Sequence, residues 1–244
     1  MNSTDTAVSD DVLAGLRSIS TATITMVLLK RGIRNCWLQG PRPLLPLQDR
    51  VAGPAFTIRF VPGRDDLSQP TSYAQPSSFR DAIEAAPNGS VVVIDGRGSA
   101  STATLGDILA ARLAVKGVLA AVTDAPVRDS DEIRKVALPV LSAGAAAPPS
   151  ITGLAYAGYG DVIGCGNVAV RPDDIMVCDN DGAVVIPHEL ATEVAEAGHE
   201  QERFERFVQL RVQAGSSVVG LYPPDDAALE AYQQWCQAGE PAPL

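Results

Sequence analysis

Two turns carry the residues in this chain whose types best suit chemistry. One is VTDAPVRD, which contains Asp124 and ends at Arg128-Asp129; the other leads through Gly106-Asp107 into ILAARLAVKG. Asp129 is a hard oxygen donor of the kind that Mg²⁺ or Mn²⁺ accepts, ions that keep several waters and need few protein ligands. Arg128 is a permanent cation whose planar fork matches a carboxylate or a developing enolate. If a helix begins at Asp107, the backbone N–H groups of Asp107, Ile108 and Leu109 lack intrahelical partners and offer a carboxylate or phosphate a place to dock. By residue type alone, Arg-Asp at a turn equally describes a helix cap beside a surface arginine.

Other chemistries find little support. The two histidines, His188 and His199, are eleven positions apart on one helical stretch, so they cannot form a zinc pair, and there is no GxSxG elbow for a serine nucleophile. Lys30, Lys116 and Lys135 are the only lysines, and each lies on or at the end of a polar helix face rather than at a strand end. A Schiff-base lysine needs a desolvating pocket. Cys36, Cys165, Cys178 and Cys236 contain no CxxC pair, so neither a zinc knuckle nor a redox motif is encoded. Gly96-Arg97-Gly98 follows a strand, but Ser101 stands where a dinucleotide fingerprint has its third glycine. A turn with a close backbone approach is the better description.

The elements that must position these groups follow from hydrophobic period and punctuation. DDVLAGLRSI and TATITMVLLKRG predict two helices within residues 8–33, the second stopping at Gly32. After the Pro-rich GPRPLLPLQ, the alternating VAGPAFTIRFV at 51–61 predicts a strand. DAIEAAPNG, SVVVIDG, LGDILAARLAVKG, VLAAVTD and DSDEIRKVALPVLSAG then read helix, strand, helix, strand, helix, strand, the pattern of a parallel sheet. Residues 148–186 hold short antiparallel pieces, among them DDIMVCDNDGAVVIP with a hairpin at Asn180-Asp181-Gly182. A long helix from about His188 to Ala214 buries Leu190, Val194, Phe204, Phe207 and Val208. The last twenty residues read as a mobile tail.

Composition sets the class. With 46% hydrophobic and 20% charged residues the chain has apolar material for a core and is not a disordered polymer. Its formal charge of −10 repels nucleic acid and anionic membrane, so neither is an expected partner. No apolar run reaches about 18 residues and the first twenty are acidic and polar, so a cytoplasmic location is expected.

Asp107, Arg128 and Asp129 form the spacing Asp-x20-Arg-Asp, which resembles the RraA-like family. That family includes 4-hydroxy-4-methyl-2-oxoglutarate aldolases, 4-carboxy-4-hydroxy-2-oxoadipate aldolases with oxaloacetate decarboxylase activity, and regulators of ribonuclease E activity. The likeness extends over roughly residues 15–224, through VAGPAFTIRF, NGSVVVIDGRGS, GDILAARLAVKG, VTDAPVRD, the DDIMVCDNDGAVVIP hairpin and GSSVVGLYPP. It leaves 1–14 as an N-terminal segment and 225–244 as the tail.

The resemblance implies an α/β fold: a single layered β/β/α domain of the swivelling type, with a mixed sheet, N- and C-terminal helices, and assembly as a homotrimer or hexamer. It implies that Gly106, Asp107, Ile108 and Leu109 bind a small 2-oxo acid, that Arg128 meets its carbonyl or carboxylate, and that Asp129 holds Mg²⁺ or Mn²⁺. Asp107 and Arg128 would be the catalytic pair of a class II lyase, in which the metal polarises the 2-oxo group and Arg128 adds charge where the enolate forms. Two features depart from the family pattern: Ala125-Pro126 replaces a glycine pair, and RDDLSQPTSYAQPSSFRD at 64–81 is longer and more polar than the usual connection. A non-catalytic protein-binding regulator, or a small-molecule binder without turnover, are the alternatives.

Overall fold

In the computed structural model, which describes residues 8–240, two serines start the first helices. Ser9 and Ser20 accept hydrogen bonds from the Val12 and Thr23 amides and so cap α1 (Asp10–Ser18) and α2 (Thr21–Lys30). The chain leaves α2 through Gly32 at φ +83°. After a short edge strand β1 (Arg42–Pro43) come β2 (Val51–Pro62), α3 (Phe79–Ala85), β3 (Val91–Asp95), α4 (Asp107–Val115), β4 (Ala120–Thr123), α5 (Ser130–Ile133) and β5 (Val140–Ser142). Strands β2 to β5 lie parallel to one another, as the alternation of apolar runs and helices predicts.

The second half is antiparallel. It contains β6 (Leu154–Tyr159), β7 (Ile163–Cys165), β8 (Val168–Val170), β9 (Ile175–Asp179) and β10 (Gly182–Ile186). β7 pairs with β8, and β9 with β10 across the Asn180-Asp181 turn. The Asn180 side chain both accepts from the Leu47 amide and donates to the Leu47 carbonyl, which fixes the turn against the β1–β2 connection. The main sheet has the order β1-β5-β4-β3-β2-β9-β10, with β6 on the far half of β2. β2 has two sets of partners: Val51–Pro54 pair with β9, Ala55–Arg59 with β3, and its register to β6 shifts between Arg59 and Phe60. Native twist accumulated along so long a strand, with a bulge in it, curls the sheet.

Strand alternation separates the layers. Val92 and Ile94 of β3 share a core with Phe79, Ile83 and Leu113 of α3 and α4, whereas Val91 and Val93 pack with Ile163, Cys165, Val168 and Val170 of β7 and β8. The outer faces of β9 and β10 then meet α1, α2 and α6 (Ala191–Gln213) through Val177, Val184, Leu16, Ile24, Leu28 and Val194. The result is the layered α/β domain with a mixed sheet and terminal helices that the resemblance implies. Among the described residues no single helix is long and apolar enough to cross a membrane.

The tail is a correction. Residues 226–237 form a further helix, α7 (Asp226–Gln237), capped by the Asp225 carboxylate on the Ala228 amide at 2.9 Å. Tyr232 stands 5.2 Å from the Phe204 ring and Trp235 5.6 Å from Phe207, so α7 covers an aromatic face of α6. Leu229, Tyr232 and Trp235 at helical spacing carried that signal, but only the facing aromatics of α6 make it decisive. Residues 1–7 and 241–244, the ends of the two terminal segments, lie outside the described residues. Phe207, 2% exposed, is the test of this small core. Phe207→Ala is expected to lower unfolding free energy by roughly 3–5 kcal/mol in urea; a change near zero means that α7 adds nothing to the fold.

Candidate active site

Two neighbouring strand ends build the site, and a buried carboxylate ties them. Asp124, just past β4, accepts hydrogen bonds from the amides of Gly96 at 2.7 Å, Gly98 at 3.1 Å and Gly166 at 3.1 Å. Burial pushes its carboxyl above the ordinary aspartate value, the Gly166 and Gly96 amides oppose that, and the nearby Asp95 charge adds to it. The Gly96-Arg97-Gly98 turn thus closes on a side chain of the protein itself, and the amides a dinucleotide phosphate would need are already engaged. A Cβ at Gly96 would stand 2.3 Å from the Ala125 Cβ, so the approach demands glycine.

Beyond this point the backbone carries the geometry. The Thr104 amide donates to Pro126 at 3.0 Å and the Arg128 amide to Leu105 at 2.9 Å, while Val127 bonds Gly144 and Ala146 on its other side. Residues 103–106 and 126–129 therefore run side by side and deliver Gly106 against Arg128. A Cβ on Gly106 would lie 3.3 Å from both Arg128 Cγ and Asp129 Oδ2. Glycine there lets the two side chains close over the start of α4.

Asp129 begins α5 in the left-handed region, φ 56° and ψ 39°, a conformation aspartate tolerates better than most residues. Arg128 Nε donates to Asp129 Oδ2 at 3.0 Å, and each side chain is 40% exposed. Opposite them, α4 starts after Gly106 with no side-chain cap, so its first-turn amides remain available to a ligand. These residues share one cavity of about 390 Å³, lined by Gly106, Asp107, Ile108, Leu109, Arg128 and Asp129 together. All six residues expected from the sequence are thus brought together. Ile108 is 77% exposed where it lines the cavity, and Leu109 packs toward the α3–α4 core.

Sequence reasoning missed the far wall, where Phe79 and Arg80 of α3 and Pro149 and Ser150 complete the cavity. The polar 64–81 segment ends at these α3 residues, but nothing in its spacing tells that α3 packs beside α4. The lysines are engaged elsewhere: Lys30 with Gln201, Lys116 with the Glu84 carbonyl and Lys135 with Glu132. His199 lies against Ser18, between α1 and α6. Among the described residues no three His, Cys, Asp or Glu side chains form a metal cluster. The hard carboxylate this chain offers a cation in the cavity is that of Asp129, with Asp107 lining the same space at the start of α4. That set suits a Mg²⁺- or Mn²⁺-type ion with most of its waters, not zinc.

Residues 7–185 match the model of the family described as RraA-like, Aldolase/RraA. The chain belongs to the Aldolase/RraA family. A Halalkalibacterium halodurans protein provisionally named 4-hydroxy-4-methyl-2-oxoglutarate aldolase is 31% identical over 180 residues, 72% of this chain and 77% of the relative. The structure of Streptomyces coelicolor RraAS2, described as an unusual member of the RNase ES inhibitor RraA protein family, superposes with TM-score 0.76 at 31% identity over 84% of this chain and 99% of that one. An uncharacterised protein from Pseudomonas syringae pv. tomato gives TM-score 0.74 at 26% identity, covering 87% and 97%. The family match ends before α6 and α7, so the aromatic α6–α7 core lies outside it.

The crossing at Gly96 can be probed without an assay. Gly96→Ala should cost roughly 1–3 kcal/mol by overpacking against Ala125 and Thr104. Gly98→Ala, at φ +59° with open space around it, should cost about 1–2 kcal/mol, the left-handed penalty alone. Equal thermal midpoints for Gly96→Ala and wild type mean that the two strand ends are not in contact in solution.

Proposed function

We propose that this RraA-like protein is a divalent-metal-dependent lyase that cleaves a 4-hydroxy-2-oxo acid to pyruvate and decarboxylates oxaloacetate through the same enolate. The observation that carries this is one cavity in which Arg128 and Asp129 face the uncapped start of α4. The α4 amides and the positive end of its dipole suit the substrate carboxylate. A Mg²⁺ or Mn²⁺ ion held by Asp129 supplies Lewis-acid polarisation of the 2-oxo group when bound. Breaking the C3–C4 bond leaves its electron pair on C3, delocalised to the C2 oxygen. Arg128 donates to that oxygen as the charge grows. The C4 hydroxyl loses its proton as C4 becomes a carbonyl, with Asp107 the carboxylate on the α4 side to receive it directly or through a water. A proton delivered to C3 completes pyruvate.

A ribonuclease-binding regulator without turnover is the second possibility, favoured by the similarity to RraAS2. Pyruvate release from oxaloacetate with Mg²⁺, abolished by EDTA, separates the two: a regulator gives none. We further propose assembly as a homotrimer or hexamer, supported by Ile108 and Val115, 77% and 78% exposed on one face of α4. A monomeric mass in sedimentation would remove that part.

Asp129→Asn keeps the size and the left-handed preference but loses the charge, so metal-dependent turnover should vanish while stability shifts by no more than about 1 kcal/mol. Activity equal to wild type would take the metal away from Asp129. For Arg128→Ala we expect kcat to fall by roughly 10²–10³, with part of the rate kept by Arg128→Lys. If only KM rises, Arg128 docks substrate and does not stabilise the enolate. Borohydride with pyruvate should trap no lysine adduct, because no lysine lines the cavity among the described residues; a mass increase at any lysine with loss of activity would replace metal chemistry by a Schiff base.

A further inference from the structure

A second cavity of about 130 Å³ adjoins the Arg128 cavity, and Phe79 and Ser150 line both. It lies between β6, which contributes Leu154, Ala155 and Tyr156, and the 67–78 stretch of the polar segment that departs from the family pattern. Among the described residues lining it there is no charged side chain, yet much of the lining is polar: hydroxyls from Ser68, Ser72, Ser77 and Tyr156, and the Gln75 amide. Ser68 spends its proton on the Leu154 carbonyl at 3.0 Å, while Ser72 donates to the Leu67 carbonyl at 3.2 Å and accepts from the Gln69 amide at 3.1 Å, so the acceptor capacity left to a ligand lies mainly on Ser68. The Tyr156 hydroxyl makes no hydrogen bond to a described residue, and burial pushes its pKa up to about 12, so it stays protonated as a donor. The Phe79 and Tyr156 rings, 6.1 Å apart, add apolar walls.

Such a lining selects by exclusion. A carboxylate entering it gives up its water and meets no counter-charge. A purely apolar chain leaves the half-buried Tyr156 hydroxyl without a partner. An uncharged chain bearing hydroxyls supplies one, with its C–H faces against the rings.

We infer that this annexe receives the part of the substrate beyond the scissile bond, and that this part is an uncharged, hydroxylated chain, as in a 3-deoxy-2-oxo sugar acid. The inference rests on the lyase activity proposed above and narrows its substrate class away from the glutarate in the name of the H. halodurans relative.

The test compares four substrates with the full chain and Mg²⁺: 3-deoxy-2-oxohexonate, 4-hydroxy-2-oxohexanoate of equal length without the distal hydroxyls, 4-hydroxy-4-methyl-2-oxoglutarate, and oxaloacetate as the short reference. The hydroxylated acid should exceed the deoxygenated and the glutarate substrates in kcat/KM by about tenfold or more. Tyr156→Phe, which keeps the ring packing, should lower the ratio of hydroxylated to deoxygenated kcat/KM several-fold. If oxaloacetate is cleaved but the hydroxylated acid is not preferred, or the ratio is unmoved in Tyr156→Phe, the annexe inference is overturned and the lyase remains. If none of the four is cleaved, both fall.

Discussion

The Asp124 carboxylate gathers three backbone amides from parts of the chain far apart in sequence, and the site depends on that convergence. The turn after β3, the exit of β4 and the β7–β8 hairpin all meet at this one side chain. Burying a carboxylate is costly, and here charge-assisted hydrogen bonds offset the cost. The same crowding dictates residue types: a Cβ at Gly96 would collide with Ala125, and one at Gly166 would lie 2.7 Å from the Gln39 backbone. Once β3 and β4 are locked in register at their carboxyl ends, residues 126–129 have one place to go, alongside 103–106. Arg128 then stands over the start of α4.

The Arg128–Asp129 contact itself does not hold this arrangement. Both side chains are 40% exposed, and an ion pair so placed contributes between about 0 and 1 kcal/mol. Asp129 also sits in left-handed backbone, which costs about 1–3 kcal/mol in a non-glycine residue and persists where surrounding structure enforces it. The enforcing bonds are Thr104 to Pro126 and Arg128 to Leu105 along the backbone. Position therefore comes from the frame, and the charges stay available to a ligand. That is the order of dependence expected of an anion site with a hard-cation ligand beside it.

Much of this was legible in the sequence because its signals are local. The Asn180-Asp181-Gly182 hairpin, the stop of the second helix at Gly32 and the βαβ succession each rest on residues within a few positions of one another. Gly106 to Leu109 and Arg128-Asp129 were legible because both follow strand ends, where parallel sheets expose their loops. What stayed hidden depends on distant partners. Phe79 and Arg80 reach the cavity only because α3 packs on α4. α7 is a helix because Phe204 and Phe207 of α6 offer it an aromatic face. Asp124 stood out as a polar strand end, but its role as a buried tie needed Gly166, 42 residues away.

The central claim is that this cavity stabilises the enolate of pyruvate, whatever the natural substrate. Deuterium exchange at the pyruvate methyl group, followed by proton NMR in heavy water, tests it without choosing a distal fragment. Metal-dependent loss of the methyl signal with wild type, suppressed by chelator and in Arg128→Ala, is the predicted result. A methyl signal that decays no faster with the metal-loaded protein than in buffer with metal alone would contradict it.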